Sequence, residues 1–280
     1  MHRTQFQHET QSPKVWGLIP ARLESSRLNG KALRLLHGLP MVVHVAKRAM
    51  LAHHLDRVLI CTDNEKILQA SVKYGIEACI TSSDCKNGTE RIIHAKRLLQ
   101  ISDNDIVIDI QGDEPLVSPD TIDDVIKASK QMLGDYDIIL PHQLDALENK
   151  KNVVKVVSSG NRVLFLTRSD APYPFVEDRL LKKHLSVIGF TGASLEKFAN
   201  LEQGELEKIE GVELLRALEG GMSIYTFPQQ VHSFSVDIQD DFERAERVLR
   251  TCPLFKNGYV EVLHYYGHSK KPYIPQKQEI

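Results

Sequence analysis

The feature that most constrains this chain is a repeated alternation. Short apolar runs without regular polar interruption are each followed by a stretch whose apolar residues recur every three or four positions. The runs are KVWGLIP (14–20), RVLICT (57–62), residues 77–81 and DIVIDI (105–110). None shows the strict in-out alternation of a half-exposed strand, so each is expected to be buried on both faces, as strands of a helix-covered parallel sheet are. Between them, residues 41–54, 65–74 and 89–99 carry helical periodicity, and 118–133 continues the series behind a Ser-Pro start. Strand and helix in turn predict an α/β fold with a parallel sheet flanked by helices.

After residue 137 the texture changes. Residues 137–141, 153–158 and 162–167 read as strands in quick succession, the last two joined by Ser-Ser-Gly-Asn (158–161), which is hairpin grammar. A strand is expected over 184–190, helices over 194–201 and 205–219, strands near 224–227 and 231–236, and a last helix over 240–250. The expected organisation is a flexible lead-in over 1–13, one domain over 14–252, and a C-terminal extension over 253–280 to which the sequence assigns no role.

A net charge of −2 and the lack of any long Lys/Arg block exclude an extended nucleic-acid or anionic-membrane surface, which needs a concentrated positive field. No run reaches the roughly 20 apolar residues of a membrane span, and the polar N-terminus lacks the apolar core of a secretory signal. Cys61, Cys79, Cys85 and Cys252 are scattered without a CxxC pair, as in a reduced, cytoplasmic protein.

Three segments carry chemistry. The loop after the first strand, IPARLESSRLNGKAL (19–33), places Arg22, Arg27 and Lys31 where an open α/β sheet meets its ligand. Such fixed cations suit a polyphosphate and the charge that develops when its phosphorus is attacked. The loop matches neither the dinucleotide nor the P-loop glycine pattern. The second segment, DIVIDIQGDEPLVSP (105–119), ends a buried strand at Asp113, a candidate ligand for a hard cation such as Mg²⁺, which needs only one or two carboxylates beside phosphate oxygens. In the third, FSVDIQDDFERAERVL (234–249), Asp237 ends a further expected strand and completes a metal site if that strand lies beside the strand of Asp113.

These segments, with CTDNEKI, NGTERI, LTRSDAPY, KKHLSVIGF and LEKIEGVELLRALEGG, stand in the order and near the spacing of 3-deoxy-manno-octulosonate cytidylyltransferases, and from about residue 15 to 250 the chain resembles that family. The resemblance implies a nucleotidyltransferase fold on a Rossmann-like, mostly parallel sheet with a smaller hairpin-containing region for dimerisation and sugar binding. It also implies a homodimer and the reaction of CTP with a sugar acid to give CMP-sugar and pyrophosphate for bacterial surface polysaccharide. By position, Arg22 and Lys31 resemble the triphosphate cations, with Arg27 beside them, and Asp113 and Asp237 the Mg²⁺ ligands. Base contacts fall on the first loop at Ala21, Leu23 and Ser25 and around Gly88, Thr89 and Arg91. Gln111 lies between nucleotide and sugar, and Arg168, His184 and Glu213 resemble the sugar-acid contacts. The rival readings are a sugar-phosphate nucleotidyltransferase and an inactive nucleotide-binding regulator.

The sequence departs from the family at Asn29 and Ala32, where proline is common, and over Ser186–Thr191 and Leu214, where hydroxyl and amide groups are replaced by apolar ones. If Ile188, Phe190 and Leu214 face the acceptor, the pocket suits a less hydroxyl-rich acid than the ordinary octulosonate, such as an amino or deoxy variant, another ulosonate or a phosphonate.

Overall fold

The computed structural model describes residues 12–24, 27–145, 152–173, 175, 180–231, 233–257 and 259. In chain order its strands are β1 (Val15–Ala21), β2 (Leu35–Leu36), β3 (Leu39–Pro40), β4 (Arg57–Thr62), β5 (Glu77–Ile80), β6 (Ile106–Ile110), β7 (Ile138–Asp145), β8 (Lys155–Ser159), β9 (Arg162–Thr167), β10 (Leu181–His184), β11 (Val187–Thr191) and β12 (Ile224–Pro228). Apart from the small β2-β3 pair they form one sheet in the order β10-β8-β9-β12-β7-β11-β6-β1-β4-β5. Its β5-β4-β1-β6 half is parallel, with Leu18 of β1 opposite Leu59 of β4 and Asp109 of β6.

The unalternating apolar runs have the expected cause. Val15, Ile19 and Ala21 of β1 enter one core layer with Val42, Val45, Ile60 and Ile122, while Trp16 and Leu18 enter the opposite layer with Leu59, Ile92, Val107 and Phe190. Every β1 position is therefore buried. Helices Met41–Ala49, Glu65–Lys73, Gly88–Leu98 and Pro119–Met132 cover the two faces.

β11 runs antiparallel to β6, and beyond it the sheet curls. β7 pairs with β11 and β12 through its first residues and with β10 through its last. Since β12 pairs with β9, β9 with β8 and β8 with β10, five strands close into a ring. Residues 158–161 make the expected hairpin turn, with Gly160 at φ 54°.

Four expected elements change. The first helix ends at Ala49 rather than near residue 54. The strand expected over 184–190 divides into β10 and β11, because residues 181–184 serve the ring and 187–191 the main sheet. The helix expected over 205–219 divides into Glu205–Glu210 and Leu214–Glu219, since Gly211 turns left-handed at φ 62°. Residues 231–236 form no strand among those described. Side chains hold this segment instead, with Lys183 Nζ on the Ser233 carbonyl and the Ser233 and Ser235 hydroxyls on Glu114. The last helix runs Gln239–Thr251, followed by a short turn of helix at Pro253–Lys256. Beyond it, buried Tyr259 donates to Nδ1 of buried His44 at 2.7 Å, which ties Tyr259 to helix Met41–Ala49. No helix of the described residues is long and apolar enough to cross a membrane.

Candidate active site

The C-terminal ends of β1 and β6 open onto a cleft of about 250 Å³. Its position follows from the fold: neighbouring parallel strands release their loops at the same edge, and those loops part there. Gly112 lets them approach. A Cβ at this position would come within 2.5 Å of the Pro20 carbonyl oxygen, so only glycine brings the end of β6 against the first loop. On the other side, Leu28, Leu36, Met41, Leu116, Val236 and Phe242 form a separate small core. This core fixes the cationic loop and the 231–237 segment to each other.

The consequence is a convergence of charge. Lys31 opens a single 3₁₀ turn, and its Nζ lies 2.7 Å from Asp113 Oδ2, 3.3 Å from Asp237 Oδ1 and 3.2 Å from the Val236 carbonyl oxygen. Arg27 Nη2 lies 3.0 Å from the same Asp237 oxygen. The Val236 amide donates to the Asp113 carbonyl at 2.9 Å. Thus the two acids, 124 positions apart in sequence, meet as expected, although Asp237 arrives on an extended connector rather than at a strand end. Asp113 and Asp237 pair with the Lys31 ammonium here, and they are also the oxygen donors of this cleft that could hold a hard divalent cation taking its remaining ligands from water and phosphate. No group of three or more His, Cys, Asp or Glu that could hold a metal occurs among the described residues, so protein alone supplies no closed cage.

Of the sequence candidates, Ala21, Arg22, Arg27, Lys31, Gly88, Arg91, Gln111, Asp113, Glu213 and Asp237 line this cleft. Leu23 instead packs against the core. Ser25 lies outside the described residues. Thr89 is buried behind the wall and donates from its backbone N–H to Glu213 Oε2 at 3.2 Å and from its hydroxyl to the same oxygen at 2.5 Å. Burial pushes the Glu213 carboxyl up despite these donors. Arg91 reaches the cleft while bound elsewhere, with Nη2 on Asp63 at 2.8 Å and Nη1 on the Thr81 hydroxyl at 2.6 Å.

Arg168 and His184 are not in the cleft wall. The Arg168 guanidinium donates to three carbonyl oxygens, those of Glu210 at 2.8 Å, Asn152 at 3.1 Å and Gly211 at 3.2 Å. Three of its five N–H donors are thus spent on backbone carbonyls. It ties β9 to the turn that leads into Glu213. His184 sits on ring strand β10, where burial holds its imidazole down to about 4. The apolar departures also find a different place: Ile188, Phe190 and Leu214 belong to the core layer beneath the sheet and do not line the cleft. They therefore carry no information about how many hydroxyls the acceptor bears.

Sequence reasoning missed Lys86 and Asn87, which line the cleft beside Gly88. It also missed Glu114, buried beneath Asp113 on the Ser233 and Ser235 hydroxyls, and Asp109, buried in β6 behind Gln111. A signal existed for the last: an acid inside an otherwise apolar strand needs a reason.

A parallel α/β half-sheet whose first loop sets cations against paired carboxylates is the architecture of a nucleotidyltransferase. A family model for cytidylyltransferases matches residues 16–224. The 3-deoxy-manno-octulosonate cytidylyltransferase of Syntrophobacter fumaroxidans is 38% identical over 244 residues, covering 84% of this chain and 97% of the relative. The 8-amino-3,8-dideoxy-manno-octulosonate cytidylyltransferase of Shewanella frigidimarina is 36% identical over 241 residues, covering 83% and 97%. A solved CMP:2-keto-3-deoxy-manno-octonic acid synthetase in complex with CTP superposes with a TM-score of 0.79 at 28% identity, over 85% of this chain and 98% of that one. The chain belongs to the 3-deoxy-manno-octulosonate cytidylyltransferase family.

Proposed function

We propose that this protein transfers CMP from CTP to the anomeric hydroxyl of a 3-deoxy-2-keto sugar acid, an octulosonate or its 8-amino analogue, and releases pyrophosphate. One observation carries the reading: Asp113, Asp237 and Lys31 converge within 3.3 Å in a cleft also lined by Arg22 and Arg27. Lys31 and the two arginines hold the triphosphate and offset the charge that builds on the departing pyrophosphate. Asp113 and Asp237 would hold Mg²⁺, which supplies neutralisation of phosphate charge and lowers the pKa of the attacking hydroxyl. Gln111 and Glu213, which line the same cleft, orient the acceptor so that its hydroxyl stands in line with the scissile bond. No protein nucleophile enters the reaction and no covalent enzyme intermediate is formed.

The same reading includes a cytoplasmic homodimer, associated near residues 153–167, that supplies activated sugar acid for bacterial surface polysaccharide such as lipopolysaccharide. Pyrophosphate release, measured with and without Mg²⁺, tests the catalytic claim. CTP is compared with ATP, GTP and UTP across acceptors that include the octulosonate, its 8-amino analogue and a hexose 1-phosphate. Metal-dependent release with CTP and a sugar acid is expected; release with the sugar phosphate alone would move the protein to the rival class.

A further inference from the structure

β6 contains a group that packing does not explain. Asp109 is fully buried, on a strand whose neighbours Ile108 and Ile110 are buried apolar residues. Burying a carboxyl group costs free energy unless it is well partnered, and a β-branched residue would fill a doubly covered strand without that cost. Burial and the nearby carboxylate of Glu213 push the Asp109 carboxyl well above the usual range. Its hydrogen-bonding neighbour is the amide nitrogen of Gln111, 3.0 Å from Oδ1 and 2.9 Å from Oδ2. Residues two apart on a strand share a face, so the acid stands directly behind the glutamine that lines the cleft.

The amide is enclosed on its other side as well. A Cβ at Gly88 would lie 3.2 Å from Gln111 Nε2 and 3.3 Å from Oε1, so the start of helix Gly88–Leu98 closes against it. Both carboxyl oxygens lie on the amide nitrogen, so Asp109 presents its acceptors to that end, whereas a primary amide has one donor end and one acceptor end. With the nitrogen taken by Asp109, the oxygen is the end left for a ligand.

We infer that Asp109 is a positioning residue, which fixes the Gln111 amide with its oxygen toward the cleft so that this wall reads a hydrogen-bond donor on the bound substrate. The inference rests on the cytidylyltransferase reading. Two substrate groups offer that chemistry: the exocyclic amine of the CTP base, and a hydroxyl or amine of the sugar acid. A site built to accept a hydrogen bond discriminates strongly against a partner that cannot donate it.

Asp109→Asn tests this, because an asparagine offers either amide end to Gln111 and so releases the fixed orientation. Gln111→Met, which removes the amide, serves as the second variant. For wild type and both variants, kcat and KM are measured in two arms: CTP against UTP at saturating sugar acid, and sugar acid at saturating CTP. Thermal melting is recorded alongside. The expected result is a melting temperature of Asp109→Asn at or above wild type, kcat within about threefold, and a tenfold or greater effect in one arm, reproduced by Gln111→Met. Lost preference for CTP over UTP identifies the base as the donor; raised sugar-acid KM identifies the acceptor. Both arms within twofold of wild type, or a lower melting temperature with a uniform fall in kcat, overturns the inference and leaves Asp109 a scaffold residue. A wild-type protein without turnover in either arm would instead count against the parent reading.

Discussion

The nucleotide side and the ring side of this molecule use their cations in opposite ways. On the first, Arg22, Arg27 and Lys31 line the cleft, and among the described residues the side chains of the last two bond to Asp113, Asp237 and the Val236 carbonyl. On the second, Arg168 is fastened to three backbone carbonyl oxygens and Lys155, with no exposure, donates to the Arg168 carbonyl at 2.7 Å and pairs with Asp170 at 3.1 Å. The difference follows from architecture. A parallel half-sheet leaves its loop cations facing an open edge, whereas a closed five-strand ring leaves irregular segments whose carbonyl groups need donors, and long basic side chains supply them. A basic residue in a family motif can therefore serve ligand or frame, and its hydrogen bonds in the folded chain tell the two apart.

The comparison can be broken most directly at its nucleotide side. Asp113→Asn or Asp237→Asn should lower kcat for pyrophosphate release by about 10²–10³-fold, since each would remove a charged oxygen ligand from the Mg²⁺ proposed at this point. Little change in the melting temperature should accompany the loss. A variant with near-normal turnover would show that the convergence on Lys31 is structural.

Acid should act on both sides through buried histidines. His44, between Tyr259 and the Leu36 carbonyl, and His142, beside Thr226, are held down to about 4 chiefly by burial. In the unfolded chain each protonates near 6.5, so as pH falls the unfolded state takes up protons first. The stabilisation is complete above about pH 6.5 and is lost between 6.5 and 4, up to about 3 kcal/mol for each. Denaturant melts across that range should show the slope, and His44→Gln and His142→Gln should each flatten part of it. A slope unchanged in both would place the acid sensitivity elsewhere.

Arg168→Ala should cost about 2 kcal/mol, because charge-assisted bonds to backbone carbonyls are lost, and should leave KM for the sugar acid within twofold. A sugar-acid KM raised tenfold with normal stability would return Arg168 to the ligand side. The smallest effect is expected for Tyr259→Phe, about 1 kcal/mol, as buried His44 Nδ1 loses its donor. No measurable loss would mean that the Tyr259 contact adds little to the fold.

Much of this was legible in the chain alone. Buried apolar runs set between helical periods specify a helix-covered parallel sheet, because both faces of each strand must be dry. Arg22, Arg27 and Lys31 were readable because a loop that follows such a strand must emerge at the ligand edge. Other features depend on contacts between residues distant in sequence. Whether 184–190 is one strand or two is decided by its partners on β6 and β7, and whether 231–236 pairs is decided by donors on Lys183, Ser233 and Ser235. The role of Arg168 turns on which carbonyls surround it, and the meaning of Ile188, Phe190 and Leu214 on which face they take. Sequence by itself determined the kind of sheet and the chemistry at its edge, because periodicity and charge are local. Only tertiary structure decided which cations meet a ligand and which acids meet each other, because burial and hydrogen-bond supply are properties of the packed chain.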